Sequence, residues 1–290
     1  VLLTRTPTLT RTVTLTRTPT RTRTPTRTRT ATRTRTATRT PTTTRTYTPS
    51  PSSTPTFVPG SVEQLRVEVL QTYPHDTNAF TQGLLLHNGL LYESTGLTGR
   101  SSLREVTLAT GAVVRKRDIP SPYFAEGLAL VGERLIQLTW LDQVAFVYDR
   151  DDFESQGTFS YGTQGWGLCY DGTRLVMSDG TSTLYFRDPT TFAVLGSVTV
   201  RENGNPIDRL NELECVDGSV YANVWTTDFI VRIDPATGQV KARINAAGLL
   251  TPTERASSDV LNGIAYDPAT GDFLITGKLW PKLFRARFVP

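Results

Sequence analysis

One phrase recurs five times between residues 61 and 290: a polar or aromatic residue followed by Gly-Leu or a near equivalent, then a short hairpin, then a second strand with an unusual ending. The copies are Phe80–Leu84 (FTQGL), Phe124–Leu128 (FAEGL), Gln164–Leu168 (QGWGL), Leu210–Leu213 (LNEL) and Leu261–Ile264 (LNGI). Aligned, they place Gln82, Glu126, Trp166, Asn211 and Asn262 at one equivalent position. The matched second strands, LLYESTG, LIQLTW, LVMSDG, VYANVW and FLITGK, place Gly96, Trp140, Gly180, Trp225 and Lys278 at another. Steps of 44, 40, 45 and 51 residues between copies suit a unit of four short strands, the period of a β-propeller, and not helical or leucine-rich repeats.

Third strands are expected at 103–108, 144–149, 183–188, 229–234 and 283–288. Each is short, rich in β-branched or aromatic residues, and bounded by turn residues such as Asp188-Pro189. Fourth strands follow at 113–119, 153–159, 193–200 and 239–245, but the fifth unit ends at Pro290 without one. The segment 66–73 (RVEVLQTY) precedes the first unit and has no partner there. It is the expected fourth strand of the last blade, closing the ring and leaving few raw sheet edges. The predicted fold is an all-β, five-bladed β-propeller over residues 61–290. No long amphipathic helix is legible, and the length suffices for a normal core.

Residues 1–60 are of a different kind. Every even position from Thr4 to Thr48 is threonine, interleaved mainly with arginine and proline, a composition that cannot build a core and predicts a disordered linker or stalk. This tail holds 11 of the 31 basic residues and no acidic one, so the other 20 basic residues face 27 acidic ones and the repeat region carries −7. The net charge of +4 therefore gives no nucleic-acid footprint on the domain. No apolar run is long enough to span a membrane. The chain begins at Val1, and its one methionine is Met177, so an upstream secretory signal and a secreted or extracytoplasmic monomer are expected.

Cys169 lies one residue after Leu168 and Cys215 two after Leu213, which by strand alternation points them to opposite sheet faces. Both are expected as free core thiols, with no disulfide between them. The two histidines, His75 and His87, lack the clustered partners of a zinc centre and are expected at the surface. No cofactor is expected for catalysis; hard ions leave no sharp sequence signature, which leaves room for a structural cation in the channel.

Different side chains at a repeated position are what a site on a repeat fold looks like, because packing alone asks the same residue of each copy. Three of the four tryptophans, Trp140, Trp166 and Trp225, fall on ring positions beside Glu126, Lys278 and the amides Gln82 and Asn211. An aromatic wall with a few convergent polar groups is the form a small-ligand pocket takes. Tryptophans also wedge between propeller sheets as plain core, and that reading stays open for each. Glu126 sits among Phe124, Ala125, Gly127 and Leu128, so desolvation should raise its pKa towards the range useful for moving protons. Its structural alternative is a salt bridge to Lys278.

At these residues the sequence resembles the glutaminyl-peptide cyclotransferases of the plant and bacterial type, five-bladed propellers unrelated to the zinc-dependent animal enzymes. The phrases carrying the likeness, in order, are AFTQGLLL, YESTGLTGRSSLREV, FAEGLAL, LTW, GWGLCYDG, LNELE, ANVWTTDFIVRIDP, LNGIAYDP and ITGKLWPKL. They span nearly all of residues 67–290. The resemblance implies that an N-terminal glutamine of a peptide or protein closes on itself to pyroglutamate and expels ammonia. It makes Glu126 the catalytic acid and places Phe80, Gln82, Phe124, Trp140, Trp166, Asn211, Trp225 and Lys278 around the substrate, with no departure from the family pattern at any of them. Two other classes stay open on the residues alone. One is a non-catalytic propeller that binds a peptide terminus or a sugar. The other is a metal-dependent propeller lactonase using Glu126, Asn211 and Asn262.

Overall fold

Each copy of the phrase forms or leads into the innermost strand of a four-stranded sheet in the computed structural model, which describes residues 61–290. The Thr/Arg/Pro-rich tail expected over 1–60 lies outside the described residues. β1 (Glu63–Pro74) comes first in the chain and last in the ring. Blade 1 is β2 (Thr81–His87), β3 (Leu90–Thr95), β4 (Ser102–Thr107) and β5 (Ala112–Asp118). Blade 2 is β6 (Ala125–Val131), β7 (Arg134–Thr139), β8 (Val144–Asp149) and β9 (Ser155–Ser160). Blade 3 is β10 (Leu168–Tyr170), β11 (Leu175–Ser178), β12 (Thr183–Arg187) and β13 (Val194–Thr199). A small hairpin of β14 (Arg201–Glu202) and β15 (Asn205–Pro206) precedes blade 4: β16 (Leu210–Val216), β17 (Ser219–Val224), β18 (Phe229–Asp234) and β19 (Gln239–Asn245). A five-residue helix, α1 (Pro252–Ala256), opened by a capping box between Thr251 and Glu254, leads to blade 5: β20 (Leu261–Asp267), β21 (Asp272–Gly277) and β22 (Lys282–Val289).

β1 completes blade 5, running antiparallel to β22 from Arg66 opposite Val289 to Pro74 opposite Lys282. It does more than the sequence suggested. Its first residues, Glu63–Arg66, also pair in parallel with Ala242–Asn245 of β19, so one strand joins the outer edges of blades 4 and 5. The ring closes on itself: the inner strands β2, β6, β10, β16 and β20 touch in that cyclic order, and β20 touches β2.

Alternation along the strands explains the packing. Leu84 faces blade 5 and joins Ala265, Leu274 and Leu283, whereas Leu85, one residue on, faces blade 2 and joins Leu128 and Leu135. The core is accordingly five separate apolar clusters, one in each cleft between neighbouring blades. Inner strands such as β2 and β6 are mostly buried, and the outermost strands of blades 1 to 3 are mostly exposed.

Two expectations are corrected by this arrangement. Cys169 and Cys215 form a disulfide with a Cα–Cα separation of 5.5 Å. They do point to opposite faces of equivalent strands, but in a propeller the forward face of one blade packs on the rear face of the next. Opposite faces therefore look at each other, and Cys169 of blade 3 meets Cys215 of blade 4 in their shared cleft. His75 is buried as well. Its ring lies between the Trp280 carbonyl oxygen at 2.8 Å and Glu93 Oε1 at 3.0 Å, and the same Glu93 oxygen accepts from Thr81 Oγ1 at 2.7 Å. The chain leaving β1 is held at the junction of blades 1 and 5, where the His75 backbone N–H donates to the Pro281 carbonyl oxygen at 3.0 Å. Burial works against its imidazolium, but the Glu93 charge and hydrogen bond outweigh it and raise its pKa. His87 is half-buried, near the Arg150 guanidinium.

The disulfide closes a loop with a sequence separation of 46 residues, for which chain entropy gives about 4 kcal/mol of stabilisation. Cys215→Ser should therefore lower the unfolding free energy by roughly 2–4 kcal/mol in urea titration. A midpoint unchanged from the wild type would contradict a staple between blades 3 and 4.

Candidate active site

The repeated phrase has a structural cause. In blades 1, 2, 4 and 5 the inner strand carries one residue more than its partner at this point: the register slips between Thr81 and Gly83, Ala125 and Leu128, Leu210 and Leu213, and Leu261 and Ile264. A β-bulge of this kind kinks the strand and re-aims a side chain. The slip falls at Gln82, Glu126, Asn211 and Asn262. The residue that follows is glycine in four of the five copies because the next blade is in contact: a Cβ on Gly83 would come within 2.6 Å of the Leu128 nitrogen, and one on Gly127 within 2.6 Å of the Leu168 nitrogen.

Blade 4 breaks this rule with Glu212, and the exception is a tie across the axis. Its carboxylate accepts from the Leu84 nitrogen of blade 1 at 3.2 Å and the Ile264 nitrogen of blade 5 at 2.7 Å. Glu214 accepts from the Tyr266 nitrogen at 2.8 Å. Burial pushes both carboxyls up, Glu214 to about 8, and Glu212 is raised further by Glu214 beside it. Neither was legible as a tie in the sequence, since its partners are backbone groups of other blades.

At the mouth of the ring lies a cavity of about 290 Å³. It is lined by all nine residues singled out above, Phe80, Gln82, Phe124, Glu126, Trp140, Trp166, Asn211, Trp225 and Lys278, together with Thr226, Asp259 and Val260. Gly96 and Gly180 share the second ring position with Trp140, Trp225 and Lys278 but are filled by neighbouring rings. A Cβ on Gly96 would collide with the Phe124 ring, and one on Gly180 would come within 2.5 Å of the Trp166 ring. The aromatic wall is edge-to-face throughout. Phe80 and Phe124 have centroids 6.1 Å apart, Phe124 and Trp140 5.7 Å, and Trp166 and Trp225 5.4 Å. Trp140 and Trp225 remain 37% exposed, so they serve as walls of an open site, whereas the fourth tryptophan, Trp280, is core at 2%.

A third equivalent position emerges two residues before the first: Phe80, Phe124, Gln164, Arg209 and Val260. Phe80, Phe124, Arg209 and Val260 accept backbone hydrogen bonds from Gly96, Trp140, Trp225 and Lys278, at 2.8 to 2.9 Å. This pairing sets Val260 and its neighbour Asp259 against Lys278. Neither is legible from the repeated phrase, whose fifth copy begins at Leu261. Gln164, also on this third ring, accepts from the Nε1 of Trp140 at 2.8 Å and of Trp166 at 3.0 Å, so a single amide oxygen holds two indoles from neighbouring blades.

Glu126 is 5% exposed, and its Oε1 accepts from Gln82 Nε2 at 3.1 Å. Burial pushes its carboxyl well above the usual 4.5, opposed by the Lys278 ammonium. Burial likewise lowers Lys278, opposed by Glu126 and Asp259. The ion pairs among the described residues do not include Glu126 with Lys278, so the two charges act on each other without the direct salt bridge held open above. The Lys278 ammonium stands 4.8 Å from the Phe80 ring centroid. Asn211 Oδ1 is buried with no protein partner. Among the described residues no group of three or more His, Cys, Asp or Glu side chains is placed to hold a metal ion. Nor does any described helix have the length and apolarity to cross a membrane.

Comparison with known proteins agrees with this geometry. The chain is 46% identical over 227 residues to the glutaminyl-peptide cyclotransferase of Arabidopsis thaliana, covering 76% of this chain and 71% of that protein. The crystal structure of Myxococcus xanthus glutaminyl cyclase superposes with a TM-score of 0.72 at 42% identity, covering 79% of this chain and 99% of that one. Residues 40–288 match the glutamine cyclotransferase family from end to end of the ring, and the chain belongs to that family.

Proposed function

We propose that this chain converts the N-terminal glutamine of peptides and proteins to pyroglutamate with release of ammonia, and that Glu126 carries the protons. The observation that supports the role of Glu126 most is a carboxyl buried at an aromatic cavity, with one amide donor from Gln82 at 3.1 Å and its pKa pushed well above 4.5 by burial. The substrate supplies both reacting groups. Its α-amine nitrogen attacks its own γ-carboxamide carbon, a five-membered lactam forms, and the bond from that carbon to the carboxamide nitrogen breaks. Ionised Glu126 takes a proton from the attacking amine and gives it to the departing nitrogen, so ammonia leaves rather than amide ion, and no proton is consumed overall.

The rest of the site suits that chemistry. Cyclisation needs the folded-back conformer, and flat walls of Phe80, Phe124, Trp140, Trp166 and Trp225 hold such a shape while excluding water. Negative charge develops on the γ-carbonyl oxygen, and the Lys278 ammonium is the cation at hand to stabilise it. Residues 61–290 form the catalytic unit on this reading, with 1–60 a linker or stalk. The Cys169–Cys215 disulfide supports an oxidising, secreted setting.

Mass spectrometry of a Gln-initiated peptide incubated with the purified chain should show the loss of one ammonia. Glu126→Gln should cut that turnover by at least about a hundredfold with an unaltered circular dichroism spectrum. Near-normal turnover in this variant would remove the assigned role, and no ammonia release by the wild type would remove the reaction. Gln164→Ala frees two indoles and should lower kcat/KM by roughly tenfold, mainly through KM, at about 1 kcal/mol or less per hydrogen bond lost. Gln164→Glu keeps the acceptor and should recover most of it; equal loss in both variants would count against an indole clamp.

A further inference from the structure

Asn262 occupies the same ring position as Gln82, Glu126 and Asn211, yet it does not line the cavity and is fully buried. Its side chain faces sideways into the ring. Nδ2 donates to the Thr81 carbonyl oxygen at 2.9 Å and to Gln82 Oε1 at 3.2 Å. The Thr81 oxygen is a main-chain carbonyl and can only accept, which decides the orientation of the Asn262 amide: its NH₂ end must lie on that side. The same nitrogen then meets Gln82, so the Gln82 atom facing it must be the oxygen. That leaves the Gln82 NH₂ turned towards Glu126, where it donates to Oε1 at 3.1 Å.

The orientation has a cost. Asn262 Oδ1 is left buried without a protein partner, a state that proteins avoid unless something else is gained. What is gained is a hydrogen-bond chain with a fixed direction, running from a backbone carbonyl through two amides to the one carboxyl in the cavity whose protonation state matters. A free Gln82 amide would have two orientations. One donates to an ionised Glu126; the other sets a carbonyl oxygen against it and favours the protonated acid.

We propose that Asn262 is a positioning residue of the reaction, which acts through Gln82 by fixing the end of the Gln82 amide that faces Glu126. The inference rests on the proton-carrying role of Glu126 given above. The charged group that acts on Glu126 from the surrounding elements is Lys278 after β21; Asp259 lines the same cavity and acts on Lys278, and Tyr161 after β9 is itself raised in part by the Glu126 charge.

The test is the pH dependence of kcat/KM on a Gln-initiated peptide for Asn262→Ala, Gln82→Ala and the double variant. Asn262→Ala should move the acid limb upward by about half to one pH unit, since the ionised form of Glu126 loses a dependable donor. In the Gln82→Ala background the same substitution should move the limb no further. An unmoved limb in Asn262→Ala, or a full shift that persists without Gln82, would overturn the proposal. Should the alanine variant fail to fold, the near-isosteric Asn262→Leu takes its place. It offers no donor to Gln82 and adds no charge, so it should move the limb in the same direction, while an unmoved limb would again overturn the proposal. Failure of the underlying reading is distinguishable, because it would show as turnover surviving in Glu126→Gln, whatever happens at 262.

Discussion

Keeping the Glu126 carboxyl out of water is the constraint on which the cavity is built. An isolated carboxylate in apolar surroundings is so unfavourable that the group either protonates or finds compensation. Here the compensation is partial: one amide donor from Gln82 and the Lys278 ammonium without a direct pair. A full salt bridge would have pulled the carboxyl down into the ordinary range, and no donor at all would have left it a permanent acid. The intermediate state is what a group that must take a proton and then return it requires. Each neighbouring feature serves it. The bulges turn the polar residues inward, the glycines behind them let blades touch, and the rings of Phe124 and Trp166 fill the gaps at Gly96 and Gly180.

That geometry needs a ring that cannot spring open. Five clefts are sealed by separate apolar clusters, and the closure is reinforced at three places by different chemistry. β1 laces the outer edges of blades 4 and 5, Glu212 ties backbone groups of blades 1 and 5 across the axis, and the Cys169–Cys215 bond joins blades 3 and 4. His75 and Glu93 add a buried polar contact where blade 1 meets blade 5.

Much of this was legible in the sequence because a repeat is its own alignment. Five copies of one phrase yield the blade number, the strand order and the ring positions, and residues that differ among otherwise equal copies mark the site. The cavity gathers Gln82, Glu126, Trp166, Asn211, Trp140, Trp225 and Lys278 from those positions, while Phe80 and Phe124 came from family likeness and prove to occupy a third ring of their own. What escaped depends on relations between blades. Strand alternation was applied to the cysteines as though they shared a sheet, and the face-to-face stacking of blades reverses its meaning. His75 has the flanks of a surface loop, and its burial is decided by where β1 ends. Glu212 reads as one more charge until the backbone nitrogens of two other blades are placed beside it.

The proposed chemistry depends on the ionisation of one side chain. Carbon-13 NMR or difference infrared titration of the Glu126 carboxyl, assigned by its absence in Glu126→Gln, measures this without reference to turnover. The expected result is a midpoint well above 4.5, moving higher still when Lys278→Met removes the opposing ammonium. A midpoint at or below 4.5, or one indifferent to Lys278, would mean that the carboxyl is solvated or firmly paired and is not the proton carrier described here.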